Sequence, residues 1–221
     1  MDTEEYKRLV GRKANRGVLV DGPAGQLDAW FGRAAVALPG EGWPSDENGP
    51  MLSLIQLNVA QLPYVPADLA DIAFITVFIT QGNLPDGEPN GEGWLLRAYP
   101  TLEGLELLEV PEGLESIRPF PIRWEPIEED YPSLDDAIRL NFPEEFAEEF
   151  TPIDELKVGG WPSLIQSEIY WAAHNRHPAY PEYVFQIPSI NDFMWGDAGY
   201  GYFGRGDVAA RDEWAMAWQC Y

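Results

Sequence analysis

Cysteine is almost absent from this sequence: its 221 residues contain one, Cys220. That excludes a disulfide framework within the chain and points to a reducing compartment. Histidine is nearly as scarce, with only His174 and His177. Basic side chains are few, 14 Lys and Arg against 37 Asp and Glu, which gives a formal net charge of −23. A surface of that sign repels phosphate backbones, so no nucleic-acid partner is expected. No apolar run approaches membrane-spanning length, and the acidic start Met1-Asp2-Thr3-Glu4-Glu5 has no apolar signal region behind it. The expectation is a cytoplasmic protein with no membrane partner. Also missing are a phosphate loop, a dinucleotide-binding glycine fingerprint, a nucleophile elbow and a calcium-binding loop. An ordinary nucleotide enzyme is disfavoured, and the expected cofactor is none.

What the chain does have is apolar and aromatic substance. Hydrophobic residues make up 45% and aromatics 13%, enough to bury a core without staples. Met51–Asn58 and the β-branched run Ile72–Thr80 read as strands. Trp94–Tyr99, Leu105–Val110 and Ile117–Trp124 are further strand candidates with prolines at their borders. Helices are expected over Thr3–Val10, briefly over Gln26–Phe31, from Ser133, and over Pro143–Phe150. A terminal helix is expected from Val208 to about Trp218, because Trp214 and Trp218 stand four residues apart.

The second half echoes the first. Gly42-Trp43-Pro44 returns as Gly160-Trp161-Pro162, and Leu54-Ile55-Gln56-Leu57 as Val184-Phe185-Gln186-Ile187. An aromatic strand follows each, Phe74–Phe78 and Tyr200–Phe203. The order predicts an internal duplication, with approximate repeats over 32–100 and 156–221 joined by an acidic segment, 101–155.

Several of these features together resemble the YwqG-like family, a bacterial family of unknown function. The carriers are Phe31-Gly32, Leu38-Pro39, Trp43-Pro44, Leu54-Ile55-Gln56-Leu57-Asn58, Leu62-Pro63, Val158-Gly159-Gly160-Trp161-Pro162, Phe185-Gln186-Ile187, Met194-Trp195-Gly196-Asp197-Ala198-Gly199, Asp207, Trp218 and Cys220-Tyr221. The first-half turn departs from the family pattern at Gly32-Arg33-Ala34-Ala35. The resemblance covers residues 1–221 as a single domain. It implies an α+β, β-rich mixed fold with an internal duplication into two related sheet units, and no established activity; the residues themselves add the N- and C-terminal helices.

Chemistry-bearing constellations are sparse. His174 and His177 stand at i,i+3, but Pro178 follows directly and no ligand pattern accompanies them, so no metal site is predicted. Cys220 reads as a buried apolar residue and Asp197 as the acceptor that closes a glycine-flanked turn. Gln56 and Gln186 read as amides that bridge neighbouring backbone at equivalent places. No catalytic residue is predicted.

The charge is unevenly placed. From Glu103 to Glu155 there are 17 acids against Arg118, Arg123 and Arg139, a local balance of −14. Glu103, Glu106, Glu109, Glu112 and Glu115 recur every third residue, followed by Glu128, Glu129, Asp130, Asp135 and Asp136. These ten residues are the expected contact surface for a basic protein partner, steered in by charge. The favoured reading is a non-catalytic interaction module, in its sharpest form an immunity protein (an antitoxin) that masks a cognate toxin. The alternative is a small-molecule-binding or hydrolytic domain with a pocket between the repeats, formed by Trp161, Trp195, Asp197 and His174. A solvated face that keeps an aromatic-rich chain soluble explains the same charge without any partner.

Overall fold

The computed structural model describes residues 3–132, 153–171 and 177–221. One α-helix is present among them, α1 (Thr3–Val10), with acids in its first turn and bases in its last, matched to the helix dipole. The Gly11 N–H closes it onto the Lys7 carbonyl at 2.8 Å. Then come β1 (Arg12–Leu19), β2 (Trp30–Phe31), β3 (Val36–Ala37), β4 (Ser45–Asp46), β5 (Gly49–Pro50), β6 (Leu52–Asn58) and β7 (Phe74–Ile79). The chain continues through β8 (Trp94–Tyr99), β9 (Glu106–Leu107), β10 (Phe120–Asp130), β11 (Lys157–Gly159), β12 (Glu182–Pro188), β13 (Tyr200–Arg205) and β14 (Trp214–Gln219).

Ten of these strands form one antiparallel sheet in the order β14-β13-β12-β11-β1-β10-β2-β6-β7-β8. Five lie on each side of the β1–β10 contact, and they correspond strand for strand. Gln56 faces Trp30 of β2, and Gln186 faces Lys157 of β11. Each glutamine strand carries a register irregularity at the same place, between Ser53 and Ile55 and between Tyr183 and Phe185. Both irregularities sharpen the local twist and help the sheet to curl.

The curl brings the two wings together almost into a barrel. Phe203 of β13, stacked at 4.5 Å on its cross-strand neighbour Phe185, meets Trp94 of β8 in the other wing edge-on at 6.1 Å. The Trp218 indole N–H reaches the Pro85 carbonyl at 2.8 Å. Gly201 is required where the Trp195 ring lies flat against its backbone, since a Cβ there would enter the indole. On the rim, the buried guanidinium of Arg205 grips both carboxylate oxygens of Asp71 at 2.6 and 2.8 Å, and Arg211 pairs with Asp68 at 2.7 Å.

The expected α+β class is corrected: the described residues are mostly β, and the expected C-terminal helix is strand β14. Trp214, Met216 and Trp218 join the core at a spacing of two, with Ala215 and Ala217 between them. The tryptophan spacing of four fits a strand as well as a helix, and pairing with β13 decides it. The short helix expected over Gln26–Phe31 is likewise replaced, at Trp30–Phe31, by β2. The Leu105–Val110 candidate contracts to Glu106–Leu107, whereas the Ile117–Trp124 candidate becomes β10, extending to Asp130. The helices expected from Ser133 and over Pro143–Phe150 lie outside the described residues.

Candidate functional site

Buried amides hold the loops that surround the sheet. The Gln56 side chain accepts from Ala35 N–H and donates to the carbonyls of Gln26 and Asp28. Gln186 accepts from Ser163 N–H and donates to the Glu155 carbonyl and the Ser163 hydroxyl. Gln219 accepts from Ile165 N–H and donates to the Ser167 carbonyl. These amides bridge backbone, as a polar group buried in an apolar strand must.

A buried ion pair braces the second-half loop. Lys157 Nζ donates to Asp130 Oδ2 at 2.8 Å, and both side chains are fully enclosed. The same carboxylate accepts from the backbone N–H of Trp161 (2.7 Å) and of Ile153 (3.1 Å). Burial pulls the Lys157 pKa below its usual value, while the charge and hydrogen bond of Asp130 oppose the change. Enclosed and paired with Asp130, this lysine acts as a strut and not as an accessible base or nucleophile. Asp130 therefore has no place in a surface patch, although its neighbours Glu128 and Glu129 are exposed.

Beyond the pair the chain leaves the sheet. Gly159 and Gly160 both take positive φ, +79° and +72°, and turn the backbone toward Trp161. The Trp161 indole donates to the Val10 carbonyl at 2.8 Å, and the Arg12 guanidinium lies 3.4 Å from its ring centroid. The departure opens a cleft of about 660 Å³. Arg12, Lys13, Tyr64, Asp68, Trp161 and Tyr183 are among the residues that line it, drawn from both wings. The phenol of Tyr183 is hydrogen-bonded to Gln186 at 3.3 Å, and burial pushes its pKa well up, so it serves as a donor and not as a base.

The expected pocket set is not brought together. Trp161 lines the cleft, whereas Trp195 is wholly buried in the core beside Phe193 at 5.0 Å. Asp197 sits on an exposed turn that is closed by backbone and not by its side chain, Gly199 N–H donating to the Trp195 carbonyl at 2.9 Å, and the Asp197 carbonyl accepts from Tyr221 N–H at 3.3 Å. His174 lies outside the described residues. The groups that sequence reasoning missed are Lys157, Arg12 and Tyr183. A solitary lysine within the acidic half of the chain was the available signal for the first.

The acidic run behaves differently from the cleft. Glu103, Glu106, Glu109, Glu112 and Glu115 are all exposed, on a segment whose only strand is β9. None of the five carboxylates has an ion-pair partner among the described residues. Leu107 and Val110 stand among them, 54% and 58% exposed. Farther on, Glu128 pairs with Lys13 at 2.9 Å, and Glu129 accepts from the Tyr131 hydroxyl, which raises the Tyr131 pKa, burial being the larger cause, to about 12. Asp135 and Asp136 lie outside the described residues.

A sequence model described as "Domain of unknown function (DUF1963)" matches residues 31–220. The chain belongs to that family. The DUF1963 match spans every sheet strand except β1 and the first residue of β2, and the cleft is therefore built largely from family residues, with Gly11, Arg12 and Lys13 added from outside the matched span. No curated protein matches the chain. No helix among the described residues is long and apolar enough to cross a membrane.

Proposed function

We propose that this DUF1963 protein, in its finer likeness a YwqG-like one, is a non-catalytic module that docks a basic protein on the strip Glu103–Glu115. One observation carries the reading: five exposed carboxylates without ion-pair partners among the described residues are interleaved with exposed Leu107 and Val110. Charges left unpaired on a surface steer an oppositely charged partner, and the apolar side chains between them supply contact area once it arrives. In the sharpest form the partner is a basic toxin and the chain is its immunity protein, acting in the cytoplasm.

The test is capture from the native host with immobilised protein, followed by titration of the purified binding protein across a salt series. Binding to a basic protein that weakens steeply with salt, and that is lost when all five glutamates become glutamine, supports the proposal. Binding that ignores salt, or that survives the five substitutions, overturns it. A toxin-like reading frame beside the gene would sharpen the partner's identity.

A further inference from the structure

The cleft has the shape of a missing strand. β11 pairs antiparallel with β1 on one side and β12 on the other, so β1 and β12 run parallel to each other. Its pairing ends at Gly159 opposite Ala14 and at Val158 opposite Phe185. Past that point β1 continues through Lys13 to Arg12 and β12 through Val184 to Glu182, with no strand between them. Two strands separated by one absent neighbour lie about 10 Å apart, the width that one extended chain fills. Residues 11–13 and 181–184 line the cleft from its two sides.

The walls fit side chains as well as backbone. Trp161, Trp171, Tyr64 and Tyr183 supply aromatic surface. The cations there are already engaged: Lys13 with Glu128, and Arg12 over the Trp161 ring. Asp68 is held by Arg211. Glu168 and Glu182 line the cleft without an ion pair in contact among the described residues, Glu182 lying only within the longer-range field of Arg211. With the ion pairs set aside, two carboxylates stand against the single guanidinium of Arg12, which keeps its charge over the ring, so the balance is negative by one and suits a basic side chain.

We infer that the gap between β1 and β12 binds an extended peptide segment of a partner protein, inserted in line with β11 and bearing a Lys or Arg that meets Glu168 and Glu182. The mode is strand addition, in which main-chain pairing supplies affinity and side-chain pockets supply selectivity. The inference shares with the proposed function only the premise that the partner is a protein. It does not depend on the acidic strip.

Random seven-residue peptides displayed on phage, panned against the full-length protein, provide the probe. The expected result is enrichment of peptides that combine β-branched or aromatic residues with at least one Lys or Arg. A synthetic copy of an enriched peptide should slow hydrogen exchange at the amides of residues 11–13 and 182–184. Methylating its alternate backbone nitrogens should weaken binding at least about tenfold, because the pairing donors are removed. E168Q/E182Q should weaken it about tenfold by removing the charge match. Glutamine at the five strip positions should leave peptide binding unchanged, so failure of the strip proposal and failure of this one are separable. Failure to enrich any peptide, protection confined to 103–115, or indifference to methylation overturns the inference.

Discussion

The two halves of the sheet place the same amide in the same register and then close their loops differently. In the first half the chain turns at Gly32 directly under backbone, where a Cβ would lie 2.6 Å from the Arg118 carbonyl and 2.9 Å from that of Ile117. Small residues follow, Ala34 and Ala35, both buried. In the second half the turn at Gly159 meets Pro66 and the Lys13 carbonyl at 3.1 and 3.2 Å, and Trp161 swings out to stack with Arg12. The central strands differ in the same sense. Thr76 faces Gln56, whereas Tyr202 faces Gln186 and donates its hydroxyl to the Ser163 carbonyl at 2.6 Å. The lesson is that one sheet geometry tolerates either a sealed or an open loop, and that the open form needs extra bracing.

Removing that bracing should have the largest effect. K157M leaves the Asp130 carboxylate enclosed without its counter-charge, and chemical denaturation should show a loss of about 3–5 kcal/mol. A first-half change of similar severity would erase the asymmetry just described. Next in size are Q56L and Q186L, each of which strands a loop N–H and loop carbonyls. Both should cost about 3 kcal/mol, and the comparison breaks if only one of them does. Y202F removes a bond with no counterpart at Thr76 and should cost about 1 kcal/mol, read as a small shift of the denaturation midpoint.

A smaller effect belongs to the rim clasp. The hydrogen bond from Arg205 is the main reason that the Asp71 pKa falls from the usual 3.8 to about 2. A depressed carboxylate pKa stabilises the folded state above the unfolded value, and that contribution fades as pH falls from about 4 toward 2. D71N should therefore flatten the pH dependence of the melting temperature in that window, modestly, since the Asp71 side chain is more than half exposed. The smallest effect is expected at the strip: glutamine at all five positions should leave stability within about 0.5 kcal/mol of the parent.

The sequence was most legible where burial is symmetrical about a strand. The β-branched and aromatic run at Phe74–Ile79 is buried at every position and reads as a strand without help. At β14 two tryptophans four apart satisfy both the helical and the strand period, and only the β13 ladder separates them. β1 carries no strand signal of its own, because Arg12-Lys13-Ala14-Asn15-Arg16-Gly17 has no apolar alternation. Its place in the sheet is fixed by partners more than 100 residues away, in β10 and β11. Asp130 looked like surface because Glu128 and Glu129 precede it, yet it alone of the three is buried. The cleft left no trace in composition at all, since it arises from where β11 stops.

The palindromic strand order also constrains how the chain reaches this state. The meanders β6-β7-β8 and β12-β13-β14 are built from contacts between neighbours in sequence, whereas the central seam joins Leu19 to Ile122 and Arg12 to Asp130. Closing so long a loop carries an entropic cost before its contacts can repay it, so non-local pairing sets the pace. The two three-stranded meanders are thus able to assemble as separate units early, and the long-range pairings of β1 with β10 and β11 and of β10 with β2 mark the slow step at which they become one domain.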